Sequence, residues 1–130
     1  MKKYLIPIII IFVFLGCSRN NGPSYFTPIS YNEVYDIIIN NDEKFCIIDV
    51  RDEAGFNAGH LRGAIHVDVE NLVDYLKTSD LCKNKNIIIY CFIGYRSSHA
   101  IRILNNAGYR NIFLMGGITN WTHQDVIERN

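Results

Sequence analysis

The sequence predicts a single α/β domain built on a parallel β-sheet. Residues 45–50 and 87–90 are continuously apolar and rich in β-branched side chains, as is typical of strands buried on both faces of a parallel sheet. Segments with helical spacing of apolar residues lie around these runs. Strands that alternate with helices favour parallel pairing through right-handed crossovers. The chain of 130 residues is long enough for one domain with one core.

Local signals define the first elements. Residues 27–29 form a short extended piece. Ser30 and Glu33 then have the spacing of a capping box, in which each side chain bonds the backbone N–H of the other residue at the start of a helix. The apolar positions that follow repeat on one helix face, at Val34, Ile37 and Ile38. Residues 40–42 end this helix, and Asp49 lies at the carboxyl end of the next strand.

The remaining elements continue the alternation. Residues 51–63 predict a glycine-containing loop, residues 64–67 a short strand and residues 69–76 a helix. After the strand at 87–90, the spacing predicts a helix over 96–107 that ends at Gly108, because a left-handed residue is favoured there. Residues 111–114 predict the last strand. The glycine pair 116–117 is expected to turn the chain into a final helix.

Cys91 lies where the strand at 87–90 ends, ahead of a short loop and a helix. In an open α/β sheet, chemistry collects at the carboxyl ends of the strands. Consecutive backbone N–H groups that lead into a helix N-terminus bind anions, so we expect Cys91 to be partly or wholly a thiolate. The loop proposed to hold the anion consists of Phe92, Ile93, Gly94, Tyr95, Arg96 and Ser97.

Composition and charge exclude several partners. Thirteen basic and thirteen acidic side chains give a formal net charge of zero, without the basic field that nucleic-acid binding requires. No two of the four cysteines have C-x-x-C spacing, so we expect neither a zinc ribbon nor a thioredoxin motif, and no metal or organic cofactor. The sequence does not decide whether Cys46, in a buried strand, pairs with Cys82, in a loop.

The N-terminus predicts a targeting segment. Lys2 and Lys3 precede an apolar run at residues 4–15 that is short for a membrane span and fits a secretory signal. The run ends in residues 14–17 (FLGC), which resemble a bacterial lipobox. We therefore expect cleavage before Cys17 and lipidation of its thiol, which would anchor the protein at the periplasmic side of a cell-envelope membrane. A plain secretory signal and an uncleaved anchor are the alternatives.

These signals divide the chain into three parts. Residues 1–16 are the predicted signal peptide. Residues 17–27 are polar, contain a Gly-Pro pair and predict a flexible tether. Residues 28–130 form the predicted domain.

Five motifs of this domain occur in the order and spacing of a known family. They are Asp49-Val50-Arg51, Gly59-His60-Leu61-x-Gly63-Ala64, Cys91-x-x-Gly94-x-Arg96-Ser97, Gly108-Tyr109-x-Asn111 and Gly116-Gly117-Ile118-x-x-Trp121. Together they resemble the single-domain rhodanese family of sulfurtransferases over about residues 29–121. The resemblance implies a rhodanese-like five-stranded parallel sheet flanked by helices on both faces.

The resemblance also implies roles for individual residues. Cys91 would be the catalytic nucleophile, which takes sulfane sulfur from a small donor as a covalent persulfide and passes it to a thiophilic acceptor. The N–H groups of loop 92–97 would hold the persulfide, with Asp49 and Arg51 supporting the loop. His60 is expected to cap a loop rather than act as a base. We expect a monomer, and the alternative to an enzyme is a non-catalytic sulfur-carrier or anion-binding module.

Two features of the loop bear on its substrate. Phe92, Ile93 and Tyr95 are apolar or aromatic and Arg96 is the loop's one cation, which favours a sulfane donor other than thiosulfate. Four residues separate Cys91 from Arg96, whereas the dual-specificity phosphatases of the cell-cycle type, which share the scaffold, have five. The smaller ring favours a sulfur atom over a phosphate.

Overall fold

A five-stranded parallel sheet forms the centre of the protein in the computed structural model, which describes residues 24–130. The strands are β1 (Thr27–Pro28), β2 (Phe45–Asp49), β3 (His60–Leu61), β4 (Ile65–His66), β5 (Asn86–Cys91), β6 (Ile112–Gly117) and β7 (Ile127–Glu128). The helices are α1 (Tyr31–Ile39), α2 (Glu53–Ala58), α3 (Leu72–Thr78) and α4 (Tyr95–Asn106). The sheet order is β1-β6-β5-β2-β4, and β3 and β7 form a separate antiparallel pair.

Strand β5 is the middle of the sheet, and its residues alternate between two cores. Ile87, Ile89 and Cys91 pack on the side of α3 and α4, whereas Ile88 and Tyr90 pack on the side of α1. A central strand that is buried on both faces explains why residues 87–90 are continuously apolar. The predicted α/β class, with a five-stranded parallel sheet between helices on both faces, is confirmed.

The start of α1 has the predicted capping box. The Oγ of Ser30 accepts from the N–H of Glu33 at 3.1 Å, and the Glu33 carboxylate accepts from the N–H of Ser30 at 2.8 Å. The backbone hydrogen bond from Ser30, followed by that of its side chain, lowers the pKa of Glu33. The buried face of α1 consists of Val34 and Ile38.

Two of the predicted elements are wrong. The segment 51–63 contains a helix, α2, which starts because the Asp52 carboxylate accepts from the N–H of Gly55 at 2.8 Å. The predicted final helix is replaced by single 3₁₀ turns at Ile118–Asn120 and Gln124–Val126. The N–H of Arg62 donates to the Val126 carbonyl at 2.7 Å, and β7 pairs with β3. These contacts hold the C-terminal segment against the domain.

Cys46 and Cys82 form a disulfide, which the sequence left undecided. Their Cα atoms lie 5.3 Å apart. The bond joins β2 to the loop that follows α3, across 36 positions of the sequence. Among residues 24–130, Cys91 is the one free cysteine.

The predictions for the N-terminus fall on residues 1–23. The signal peptide, the lipidated Cys17 and most of the tether therefore lie outside the described residues. Within 24–130, no helix has the length and apolar character needed to cross a membrane. The same residues contain no group of three metal-ligating side chains.

Candidate active site

Strand β5 places the Cys91 thiol at the carboxyl edge of the sheet. The residue is 2% exposed and pairs with Gly117 of β6, while the preceding Tyr90 pairs with Asp49 of β2. The chain leaves the strand here and enters α4 only four residues later. The sulfur therefore lies at the bottom of a tight strand-to-helix turn.

Gly94 turns its backbone N–H back towards this sulfur. The Gly94 nitrogen donates to the Sγ of Cys91 at 2.9 Å. Gly94 has a φ of 104°, in the left-handed region that residues with a Cβ avoid. A glycine is needed at this position because the turn that directs the N–H inward depends on that angle.

Ser97 supplies a second polar contact to the sulfur. Its side chain is fully buried, with Oγ 3.3 Å from the Cys91 Sγ and 3.0 Å from the Gly94 carbonyl, to which it donates. A hydroxyl has one hydrogen and two acceptor positions, so Oγ accepts the thiol proton while it donates to Gly94, and donates to a thiolate only by releasing that carbonyl. The first N–H groups of α4 have no acceptor within the helix and add positive potential to the loop.

The far side of the loop is held by the end of β6 and the 3₁₀ turn that follows it, a contact that the sequence does not predict. The Phe92 carbonyl accepts from the backbone N–H of Thr119 at 3.4 Å and from its Oγ1 at 3.2 Å. A Cβ on Gly117 would collide with the Phe92 carbonyl oxygen and the Cα of Ile93. The glycine pair 116–117 was the available signal, but it was interpreted as a turn.

Asp49 and Arg51 form a buried ion pair. The Arg51 Nη2 lies 2.7 Å from Asp49 Oδ2 and 2.6 Å from the Gly59 carbonyl oxygen. Burial alone would lower the pKa of Arg51, but the hydrogen bond and charge of Asp49 raise it overall. These bonds support the wall that faces loop 92–97 rather than the loop itself, which corrects the role expected from the sequence.

Tyr90 joins β5 to the same facing wall. Its hydroxyl accepts from the Leu61 N–H at 3.1 Å, and its side chain is fully buried. Burial, and then the charge of Asp49, raise the pKa of Tyr90 well above its usual range. Tyr90 is therefore a neutral phenol that holds β3 in place.

His60 caps a turn, as the sequence predicted. Its Nδ1 lies 2.8 Å from the Phe56 carbonyl oxygen, and its ring stacks on the Phe56 ring with centroids 3.8 Å apart. The imidazole is buried in these contacts.

A cleft of about 670 Å³ opens above the sulfur. One wall consists of the loop, with Cys91, Phe92, Ile93, Tyr95 and Arg96. The other wall consists of α2 and its flanks, with Arg51, Asp52, Gly55, Ala58 and Gly59. The loop thus brings the predicted site residues together, with Gly94 and Ser97 on the sulfur and the side chains of Phe92, Ile93, Tyr95 and Arg96 exposed along the cleft.

The chain is similar to a known family and to proteins of known name and structure. The family described as rhodanese-like domain matches residues 30–124. The thiosulfate sulfurtransferase GlpE of Tolumonas auensis is 29% identical over 101 residues, which cover 77% of this chain and 92% of that protein. GlpE of Stutzerimonas stutzeri is 35% identical over 78 residues, covering 59% and 70%. The crystal structure of the Alr3790 protein from Anabaena is 27% identical, with a TM-score of 0.66 over 78% of this chain and 80% of that one.

Proposed function

Because the chain belongs to the rhodanese-like domain family, we propose that it is a sulfurtransferase that carries sulfane sulfur as a persulfide on Cys91. One observation carries the proposal: the N–H of Gly94 donates to the Cys91 sulfur at 2.9 Å from within a strand-to-helix turn. A buried thiol would not need such a turn for packing alone. The relatives named as thiosulfate sulfurtransferases support the same reaction class.

The first step loads the cysteine. The Cys91 thiolate attacks the sulfane sulfur of the donor, a new S–S bond forms, and the bond between that sulfur and the rest of the donor breaks. The leaving group takes the electron pair of the broken bond, as sulfite if the donor is thiosulfate. The N–H of Gly94 stabilises the attacking thiolate, and the Ser97 hydroxyl does so when its one hydrogen turns from the Gly94 carbonyl to the sulfur.

The second step unloads it. A thiophilic acceptor attacks the outer sulfur of the persulfide, and the electron pair of the S–S bond returns to Cys91 as a thiolate. The outer sulfur would lie over the loop. The first-turn N–H groups of α4 point there, because they have no acceptors within the helix. Donors that are already in place stabilise an anion without reorganisation, which is the main catalytic contribution expected of the loop.

The size of the loop supports sulfur rather than phosphate chemistry. Four residues separate Cys91 from Arg96, and the Cys91 sulfur already occupies the hydrogen-bonding position at Gly94. A tetrahedral phosphate brings three oxygens that each need donors, which requires a wider ring. A single additional sulfur atom needs less room.

We also propose that Cys17 is lipidated and that the domain is held at the cell envelope. The support is the lipobox-like FLGC at residues 14–17. Strand β1 starts the described domain at the amino edge of the parallel sheet, opposite the carboxyl edge that carries Cys91. An anchored domain would therefore present its cleft away from its attachment point. Mass measurement of the mature N-terminus tests this, because an unmodified Cys17 would contradict it.

The reaction is tested by thiocyanate release. The full chain is incubated with cyanide and either thiosulfate or an organic persulfide, with Cys91→Ser and the distant surface variant Thr78→Ala in parallel. Cyanide also takes sulfur directly from a persulfide, so rates are compared with the same mixture without protein. Wild type and Thr78→Ala are expected to release thiocyanate faster than that mixture, and Cys91→Ser is expected to add nothing to its rate. One equivalent of thiocyanate without turnover would indicate the carrier alternative. No thiocyanate above the protein-free rate from any donor would contradict the proposal.

A further inference from the structure

The rim of the Cys91 cleft exposes an unusual amount of apolar surface. Phe92 is 59% exposed, Ile93 73% and Tyr95 82%, all within one loop. Exposing three large hydrophobic side chains side by side is unfavourable in water unless a ligand covers them. Gly94, which bonds the sulfur, lies between Ile93 and Tyr95, so the apolar rim is fixed at the reacting atom.

The charges around the cleft do not favour a small dianion. Arg51 and Arg96 line the cleft, but Arg51 is paired with Asp49 at 2.7 Å and the carboxylate of Asp52 lines the same wall. The two arginines therefore face two aspartates, and the local formal charge is zero. The side chains therefore give a dianion such as thiosulfate little net attraction beyond that of the backbone N–H groups of the loop.

We propose that the donor is an organic persulfide, R–S–SH, whose group R is apolar and packs on Phe92, Ile93 and Tyr95. This inference rests on the proposed sulfurtransferase function and specifies its substrate class. The cleft of about 670 Å³ is within the range of sites that hold organic ligands and is far larger than thiosulfate needs. Group R would occupy this volume, with its terminal sulfur directed down to Cys91.

The loading step is balanced without an external oxidant or reductant. The Cys91 thiolate attacks the terminal sulfur of R–S–SH, and a bond forms between the two sulfurs. The original S–S bond breaks, its electron pair leaves on R–S⁻, and the proton stays on the transferred sulfur as Cys91–S–SH. The thiol R–SH forms when the leaving thiolate takes a proton from water.

Alkyl persulfides of increasing length test the role of the rim. The full chain is mixed, without added reductant, with thiosulfate or with methyl to hexyl persulfide, and the sulfur gained by Cys91 is followed by mass spectrometry. The rate of loading is expected to rise about tenfold from methyl to hexyl in the wild type, because each methylene adds apolar contact. In Ile93→Ser and Tyr95→Ser the loading rate is expected to depend much less on the length of the alkyl chain.

Leu81→Ser is the matched control. Leu81 is also a large exposed hydrophobic residue, but it lies in the loop before β5, at the opposite edge of the sheet. Its variant should keep the full dependence on chain length. Loading by thiosulfate without any dependence on persulfide length would overturn this inference and leave the sulfurtransferase function intact. Absence of loading from every donor would overturn both.

Discussion

The backbone nitrogen of Gly94 donates to the sulfur of Cys91, three residues earlier in the chain, at 2.9 Å. This contact closes the turn between β5 and α4 around the thiol. It depends on a φ of 104° at Gly94 and on the Ser97 hydroxyl, which donates to the Gly94 carbonyl. The chemistry proposed for Cys91 therefore depends on the backbone of the loop as much as on the cysteine itself.

Gly94→Ala is expected to disrupt the site. An alanine in the left-handed region costs about 1–2 kcal/mol, so the loop should relax and move its N–H away from Cys91. Loss of one preorganised donor predicts a fall of about 100-fold in thiocyanate release. The measurement is kcat/KM together with the free energy of unfolding in urea.

Gly108→Ala is the control for Gly94→Ala. Gly108 has a φ of 95° just after α4, and in both glycines an added Cβ would meet open space. The two variants should lose similar stability, whereas Gly108→Ala should keep its activity. Equal losses of activity in both would show that the effect of Gly94→Ala is only one of stability.

Ser97→Ala tests the second contact to the sulfur. Its Oγ lies 3.3 Å from Cys91 and can turn its hydrogen from the Gly94 carbonyl to the sulfur when the thiol ionises. Loss of that hydrogen bond predicts a fall of about tenfold in the rate of Cys91 alkylation. Ser98→Ala is the matched control, because its Oγ also donates to the Gly94 carbonyl at 3.0 Å but is exposed and bonds only that carbonyl. If the two variants react alike, the Ser97 contact has no role in thiol reactivity.

The Cys46–Cys82 disulfide is expected to stabilise the fold. It closes a segment of 36 positions, for which the loss of unfolded-chain entropy predicts about 2–4 kcal/mol. Urea unfolding with and without reductant measures how much the disulfide contributes to the free energy of unfolding. The double variant Cys46→Ala/Cys82→Ala should be less stable and insensitive to reductant. A wild type that unfolds at the same urea concentration in both conditions would contradict the prediction.

Tyr90→Phe is expected to change the stability at alkaline pH. At neutral pH the variant leaves the buried Leu61 N–H without its acceptor, which costs about 1–3 kcal/mol. The folded protein raises the pKa of Tyr90, so above about pH 10 only the unfolded wild type loses this proton. The stability contributed by neutral Tyr90 is thus present below about pH 10 and lost above it.

Urea unfolding of both proteins at several pH values tests whether the stability contributed by Tyr90 falls as the pH rises. The difference in the free energy of unfolding between wild type and Tyr90→Phe should become smaller as the pH rises above about 10. Parallel stability profiles would mean that Tyr90 titrates normally in the folded protein.

Much of the fold was predictable because its signals are local. The apolar runs marked β2 and β5, and the capping box marked the start of α1. Helix α2 was missed because Gly55 lowers helix propensity, while its N-terminal cap by Asp52 was overlooked. The prediction of a final helix was wrong because the antiparallel pairing of β7 with β3 is a long-range contact that no local pattern reports.

The part of the site formed by one continuous stretch of chain was predictable, whereas the contacts between distant segments were not. Cys91 and its loop are contiguous in sequence, and the strand-loop-helix pattern was enough to place them together. The contact of Thr119 with the Phe92 carbonyl joins positions 27 apart, and the Arg51 bond to Gly59 supports the opposite wall. Both depend on the packing of separate elements, as does the Cys46–Cys82 disulfide.

In the proposed reaction, Cys91 carries the transferred sulfur. The most direct test is the intact mass of the full chain after exposure to a sulfane donor, followed by cyanide. The mass is expected to rise by one sulfur atom, located on the peptide that contains Cys91, and cyanide is expected to remove that atom as thiocyanate. Cys91→Ser should gain none. A wild type with unchanged mass, or with sulfur on another residue, would show that Cys91 is not the sulfur carrier.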